Sequence, residues 1–271
     1  MVIRYNLLDL LSHQLSAAPK PYGPFHLVAF ALTIAIAIFI AIRYHHPTEK
    51  QNKTIVLSIS ILLLVFEVYK QLVFSYNGGN WTYQWYAFPF QFCSVPMYVG
   101  LLAGLLKEGK VRRALYSFLG TFCLFAGLAV MVYPNDVFTS TLGISIQTMV
   151  HHGGMTVLGI YCITSNRVLP EAKRIVGSGL VFLTLVAIAQ TINLLLKSKG
   201  LSMFFISPYV PCHLPVLSMI QATYGYIVFI FTYIFGFIFV AFLILSITIL
   251  IKKVWRQAHP RNSSQLGVSH V

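Results

Sequence analysis

Three groups of side chains in this chain could do chemistry. Cys93 lies in the run FPFQFCSVP, with Gln91 two residues before it and Pro89 and Pro96 on either side. Gln147, His151 and His152 lie in QTMVHHGG, where Gln147 and His151 are four apart and share a helix face, while His152 points about 100° away. Glu67, Lys70 and Gln71 follow an i, i+3, i+4 pattern that puts them on one stripe. A thiolate can attack an acyl carbonyl, an imidazole can carry the proton, and amide N–H groups can donate to the oxyanion that forms. This gives Cys93, His151 and His152 as candidate catalytic residues. Gln91, Gln147, Glu67, Lys70, Gln190, Asn193 and His213 are candidate binding residues.

Each group also has a quieter reading. Cys93 can be a small buried residue, a histidine can tie two helices together, and Glu67 with Lys70 can be an ion pair. Gln190 and Asn193 form an amide face that suits interhelical hydrogen bonding equally well. Asp136, in VYPNDVF, can orient a histidine or cap a turn, and the turn is favoured. Cys123 and Cys162 read as core residues. The four cysteines have no CxxC spacing, so neither a metal site nor a disulfide framework is expected. No cofactor is expected.

Position makes these residues informative. The chain is 57% hydrophobic and 9% charged, with a mean hydropathy of +0.76, which places it among integral membrane proteins. Seven apolar stretches predict an all-α, seven-helix membrane bundle: Phe25–Ile42, Thr54–Phe74, Ala87–Leu106, Ala114–Tyr133, Leu142–Thr164, Ile175–Leu196 and one within Val216–Ile251. Fourteen of the nineteen Lys and Arg fall in loops 1–2, 3–4 and 5–6 and in the C-terminal tail. The positive-inside rule then puts the N-terminus outside and the C-terminus in the cytoplasm of a cell-membrane protein. The same flanks account for the net charge of +13, so nucleic acid is not an expected partner. Glu67, Lys70, Gln71, Gln91, Gln147, His151, His152, Gln190, Asn193 and Gln221 all sit at mid-depth or in the half farthest from those basic loops. Polar groups cost a few kcal/mol each in a bilayer, so their gathering points to an outward-facing polar cavity.

The organisation is that of one membrane domain, residues 25–252, after an N-terminal segment, 1–24, and before a tail, 253–271, expected to be disordered. Ile3–Leu15 suits a short amphipathic surface helix. No secretory cleavage site precedes the first span, and no internal repeat is visible. Proline is expected to kink span three beside Cys93, which would lie about 9 Å below the outer surface at the helical rise. The run SPYVPCHLP, with Cys212 and His213 among three prolines, is expected to be irregular and to dip into the protein as a lid.

The combination PFQFCSVP, VYPND, QTMVHHGGMTVLGIY and an NLLL segment resembles the YwaF-type family of bacterial integral membrane proteins. A eukaryotic branch of that grouping includes a proposed membrane phospholipid acyltransferase. The likeness covers about Phe25 to Ile251. The family's usual first motif is nearer to His-Leu-Cys, whereas this chain has Gln91-Phe92-Cys93. The resemblance implies that Cys93 is an acyl-accepting nucleophile and that membrane phospholipid is its substrate. Choosing His151 or His152 as base rests on chemistry alone. Two other readings stay open at this stage: a zinc-dependent hydrolase using His151, His152 and His213 with Asp136 or Glu67, and a transporter or receptor for a small solute.

Overall fold

In a computed structural model, residues 7–77, 80–135, 137–168, 171 and 173–258 are described. Asp136 lies outside that set. Nine α-helices occur among the described residues: α1 (Leu7–Leu11), α2 (Pro24–Arg43), α3 (Glu49–Ser75), α4 (Val95–Leu105), α5 (Lys110–Phe118), α6 (Leu124–Val132), α7 (Leu142–Thr164), α8 (Arg174–Leu195) and α9 (Leu217–Ala258). A single π-helical turn, Leu119–Cys123, joins α5 to α6 as one rod. A two-residue antiparallel ladder, Tyr76–Asn77 with Asn80–Trp81, caps the end of α3.

Local sequence explains the helix ends. Thr48 and Gln51 form a reciprocal capping box that starts α3. α2 begins on Pro24 and α4 has Pro96 in its first turn, where a missing N–H costs nothing. Five helices are long and apolar enough to cross a membrane among the described residues: α2, α3, the α5–α6 rod, α8 and α9. α4 has 11 residues and spans about 16 Å, short of a hydrocarbon core of about 30 Å. α7 is long enough at 23 residues but carries Gln147, His151 and His152. It lies among α2, α3 and α6, and more than half of it is buried. This long helix is thus largely enclosed, and its polar side chains find protein rather than lipid.

Expected spans one, five and six match α2, α7 and α8 within a turn, while α3 and α5 start four to five residues before expected spans two and four. Span three does not match. In place of a kinked helix from Ala87, the segment Phe88–Ser94 is non-helical, and α4 starts only at Val95. The helical rise therefore gives no depth for Cys93, because no helix runs through it. The last expected span divides at Gly225, whose φ of +81° breaks α9 into a short and a long helix. α9 runs on to Ala258, so the residues after Lys253 begin as helix; the rest of the tail, from residue 259, is outside the described set. At the other terminus, helix covers Leu7–Leu11, and Gln14 pairs with Thr141 instead of extending it.

Close helix approaches and aromatic stacking hold the bundle. A Cβ on Gly153 would lie 2.5 Å from Thr33 Oγ1 on α2, and one on Gly154 would lie 2.8 Å from Leu63 on α3. Small residues at these two positions let both helices reach α7. Phe92, Phe122, Phe182, Tyr233 and Phe237 pack as stacked and edge-on rings across four elements. His26 is a staple: its Nδ1 accepts from Tyr22 N–H at 3.1 Å, so Nε2 carries the proton and donates to the Met131 carbonyl at 2.9 Å. At the basic end, Asn52 donates to Tyr116 at 2.7 Å and accepts from Tyr161 at 3.0 Å. Arg112, 3% exposed, pairs there with Glu49 and donates to the Ala103 carbonyl at 2.9 Å.

Candidate functional site

The stripe on α3 is a complete hydrogen-bonded unit. Glu67 is 2% exposed, yet its carboxylate receives three donors: Lys70 Nζ at 2.8 Å, Gln71 Nε2 at 2.9 Å and Ser94 Oγ at 3.2 Å. Gln71 also donates to the Ala87 carbonyl at 2.5 Å. A buried carboxylate is tolerable only with such compensation. The ion pair expected from the i, i+3 spacing is present, and it does more than neutralise charge. Through Ala87 and Ser94 it grips both ends of the non-helical segment that carries Cys93.

Ser94, which flanks Cys93, is the residue to which sequence reasoning gave no role of its own. It is fully buried and stands at the N-cap position of α4, just before Val95-Pro96. A Ser ahead of a helix that opens on Pro is itself an N-terminus signal. Here its side chain serves Glu67 rather than the helix cap.

Cys93 is half-buried, whereas Cys123, Cys162 and Cys212 are buried. All four are free thiols. The electrostatic neighbours of the Cys93 thiol are Lys70, Glu67 and the Ser94 hydroxyl. Among the described residues no hydrogen bond joins it to either imidazole. The link is to the main chain: His151 Nε2 lies 3.0 Å from the Cys93 carbonyl oxygen. A carbonyl can only accept, so Nε2 must carry the proton and Nδ1 holds a lone pair. That Nδ1 is buried and has no hydrogen-bond partner among the described residues. His151 is therefore fixed in the tautomer whose free nitrogen is a base.

His152 is arranged differently. Its Nδ1 donates to the Thr148 carbonyl of its own helix at 2.8 Å, and its ring sits edge-on to His151 with centroids 6.0 Å apart. Gln147, 5% exposed, shares the His151 face one turn nearer the start of α7. None of its four possible hydrogen bonds is made among the described residues. Gln91 is half-buried; it donates to the Tyr86 carbonyl at 3.0 Å and leaves its Oε1 unpartnered.

A second group lies around the connection from α8 to α9. Asn193 is fully buried, and both ends of its amide bind Met203: Nδ2 to the carbonyl at 3.1 Å and Oδ1 to the N–H at 2.7 Å. Gln221 accepts from Cys212 N–H at 2.7 Å, and Tyr226 donates to the Ile206 carbonyl at 2.9 Å. These bonds draw residues 201–212 inward, so Leu201, Met203, Phe204, Ile206 and Cys212 are all buried. Non-helical backbone at this depth needs such partners. Phe204 then meets Phe90 and Phe92, with centroids 5.9 and 5.1 Å apart. The two irregular, proline-rich segments thus touch each other. Asn193 belongs to the scaffold of this segment, while Gln190 keeps a buried Oε1 beside Tyr226 that has no hydrogen-bond partner among the described residues. His213 is exposed.

The zinc reading finds no ligand set, since no group of three His, Cys, Asp or Glu among the described residues could hold a metal ion. Chemically, the arrangement offers a half-buried thiol, a buried base tied to the same residue and an unengaged amide one turn away. A family model described as the TMEM164 family matches residues 21–249. No curated protein and no solved structure matches the chain.

Proposed function

The chain belongs to the TMEM164 family, a family of membrane proteins, and we propose that it is a seven-span protein of the cell membrane that transfers acyl groups from membrane phospholipid through Cys93. The asymmetry of Lys and Arg supports an N-terminus outside and a C-terminus in the cytoplasm. That orientation turns Cys93 and His151 toward the outer leaflet. The likeness of PFQFCSVP and QTMVHHGGMTVLGIY to YwaF-type proteins, with their acyltransferase branch, supports the chemistry.

One observation carries the reading: the His151 Nδ1 lone pair is buried and unpartnered while Nε2 is bonded to Cys93 itself. In the first half-reaction Nδ1 takes the thiol proton as sulfur attacks the ester carbon. Gln147 donates to the oxyanion, the C–O bond to the lipid breaks, and the imidazolium returns its proton to the leaving lipid alkoxide. A thioester on Cys93 remains. In the second half-reaction a hydroxyl attacks the thioester while Nδ1 takes its proton, and that proton passes to the sulfur as the thiol leaves. If the accepting hydroxyl belongs to a second lipid the result is transfer; if it belongs to water the result is hydrolysis. His151 is the base in this scheme because the corresponding Nδ1 of His152 is consumed by its own helix.

The test is to incubate purified protein with phospholipid labelled in its acyl chain and to look for a hydroxylamine-sensitive adduct on Cys93. Cys93→Ala protein should fold and carry no label. Absence of the adduct from wild-type protein would sink the covalent mechanism. Saturable uptake of a solute without chemical change would favour the transporter reading instead.

A further inference from the structure

Between α2, α3 and α7 runs a lateral groove of ≈ 630 Å³, within the range of small-molecule sites. Its walls are apolar: Ala29 and Leu32 from α2, Ile59 and Leu62 from α3, Val150 and Gly154 from α7. The α2 wall belongs to a lipid-facing helix, since Leu27, Val28, Leu32, Ile36 and Phe39 are all exposed. The groove also has a polar edge. Val150 and Gly154 stand three and seven residues after Gln147, so all three share one face of α7, and His151 follows Gln147 by four on the adjoining side. Gln147 is thus a side chain 5% exposed, without a hydrogen bond among the described residues, that flanks the groove-lining residues of α7 on the side toward His151.

We propose that this groove seats one acyl chain of a membrane lipid, admitted sideways from the bilayer, and that the Gln147 amide receives the ester carbonyl at its head. The inference rests on the acyl-transfer reading for the identity of the ester. Three features on the page select this occupant. The walls hold no charge to attract a polar solute. Gln147 offers the N–H donors that an ester carbonyl needs and that lipid tails cannot use. The groove's α7 wall includes Ile146 and Val150, which bracket Gln147 along the helix, so a chain lying in it would bring its ester toward that amide.

Occupancy can be read without turnover. Full-length Cys93→Ala protein in phosphatidylcholine vesicles is photolysed with a phosphatidylcholine carrying a diazirine on its acyl chain. Labelling is expected on the groove-lining residues of α2, α3 and α7. Ala29→Trp, which fills the groove from a half-buried position, should lower that labelling by roughly tenfold, about what losing the burial of two methylenes amounts to. Val176→Trp, on the exposed lipid face of α8, should leave it unchanged. An analogue with a methylene in place of the ester carbonyl should label wild-type Gln147 protein more weakly than the ester, and Gln147→Leu protein equally. Labels spread evenly over α8 and α9, no effect of Ala29→Trp, or cross-links to a second copy of the chain would each overturn the groove assignment. Groove labelling in protein that forms no Cys93 adduct would instead leave the acyl seat standing and remove the covalent chemistry.

Discussion

The Glu67–Lys70 pair invites a double-mutant cycle, because its geometry sets the size of every arm. Glu67→Met strands the Lys70 ammonium, which is only 12% exposed, at a cost of roughly 3 kcal/mol, the low end for breaking a buried pair. Ser94 and Gln71 each lose a neutral bond to the carboxylate, adding about 1 kcal/mol apiece, for a total near 5. Lys70→Met leaves the carboxylate with its two neutral donors and should cost about 1–2 kcal/mol. The double variant holds no charge and lacks the two neutral bonds, so its cost should be about 2 kcal/mol. Simple addition of the singles gives about 6–7, which leaves roughly 4 kcal/mol of coupling, above the usual range for residues in contact.

The assay is reversible unfolding of purified protein in mixed micelles by titration with dodecyl sulfate, followed by tryptophan fluorescence. The competing physics is snorkelling. Lys70 lies five residues before the end of α3 at Ser75, about 7.5 Å along the axis, and a freed lysine could extend its stem to the interface. In that case Glu67→Met would cost only about 2 kcal/mol, no more than the double variant. That result would refute the view that the carboxylate is there to hold a buried charge. Its remaining role would be to anchor Ser94 and Ala87.

His151→Ala should slow formation of the Cys93 acyl adduct by about 10²- to 10⁴-fold, while His152→Ala should change it by less than about tenfold, both read by quenched-flow labelling of Cys93; equal losses would contradict the tautomer argument. Asn193→Ala leaves the N–H of Met203 buried and unpaired, at about 1–3 kcal/mol, while its carbonyl keeps the Ile206 N–H, and should expose Cys212 to maleimide, which mass spectrometry of intact protein would count. His26→Phe keeps the ring but loses the bonds to Tyr22 and Met131, so it should destabilise by about 1–3 kcal/mol in the same micelle titration without altering the rate of adduct formation.

What could be read from the residues divides along a physical line. Helix extents were legible because apolar length and period are local properties; the expected Leu142–Thr164 coincides with α7 even though that helix carries Gln147 and both histidines of the pair. Span three failed because hydropathy reports apolar composition and not hydrogen bonding. Phe88, Phe90 and Phe92 are as apolar in a buried loop as in a helix, and the discriminating signs were the two prolines and Ser94 before Val95-Pro96. The same line runs through the site. Glu67 with Lys70 could be foreseen because both partners sit three apart on one helix. The partner of His151 is a main-chain carbonyl 58 positions away, and that of Asn193 is the backbone of Met203. Backbone partners leave no residue-type signature, so side chains busy with structure look the same in sequence as those waiting for a ligand. Once the main-chain bonds are assigned they separate. Asn193 has bound the backbone with both ends of its amide, His152 has spent its Nδ1–H, and His26 has spent both nitrogens. Gln147 has all of its capacity and His151 keeps its basic nitrogen. The case for chemistry at this end of the bundle therefore rests less on how many polar residues gather there than on these two, one tied to the main chain of the half-buried Cys93 and the other flanking an apolar groove.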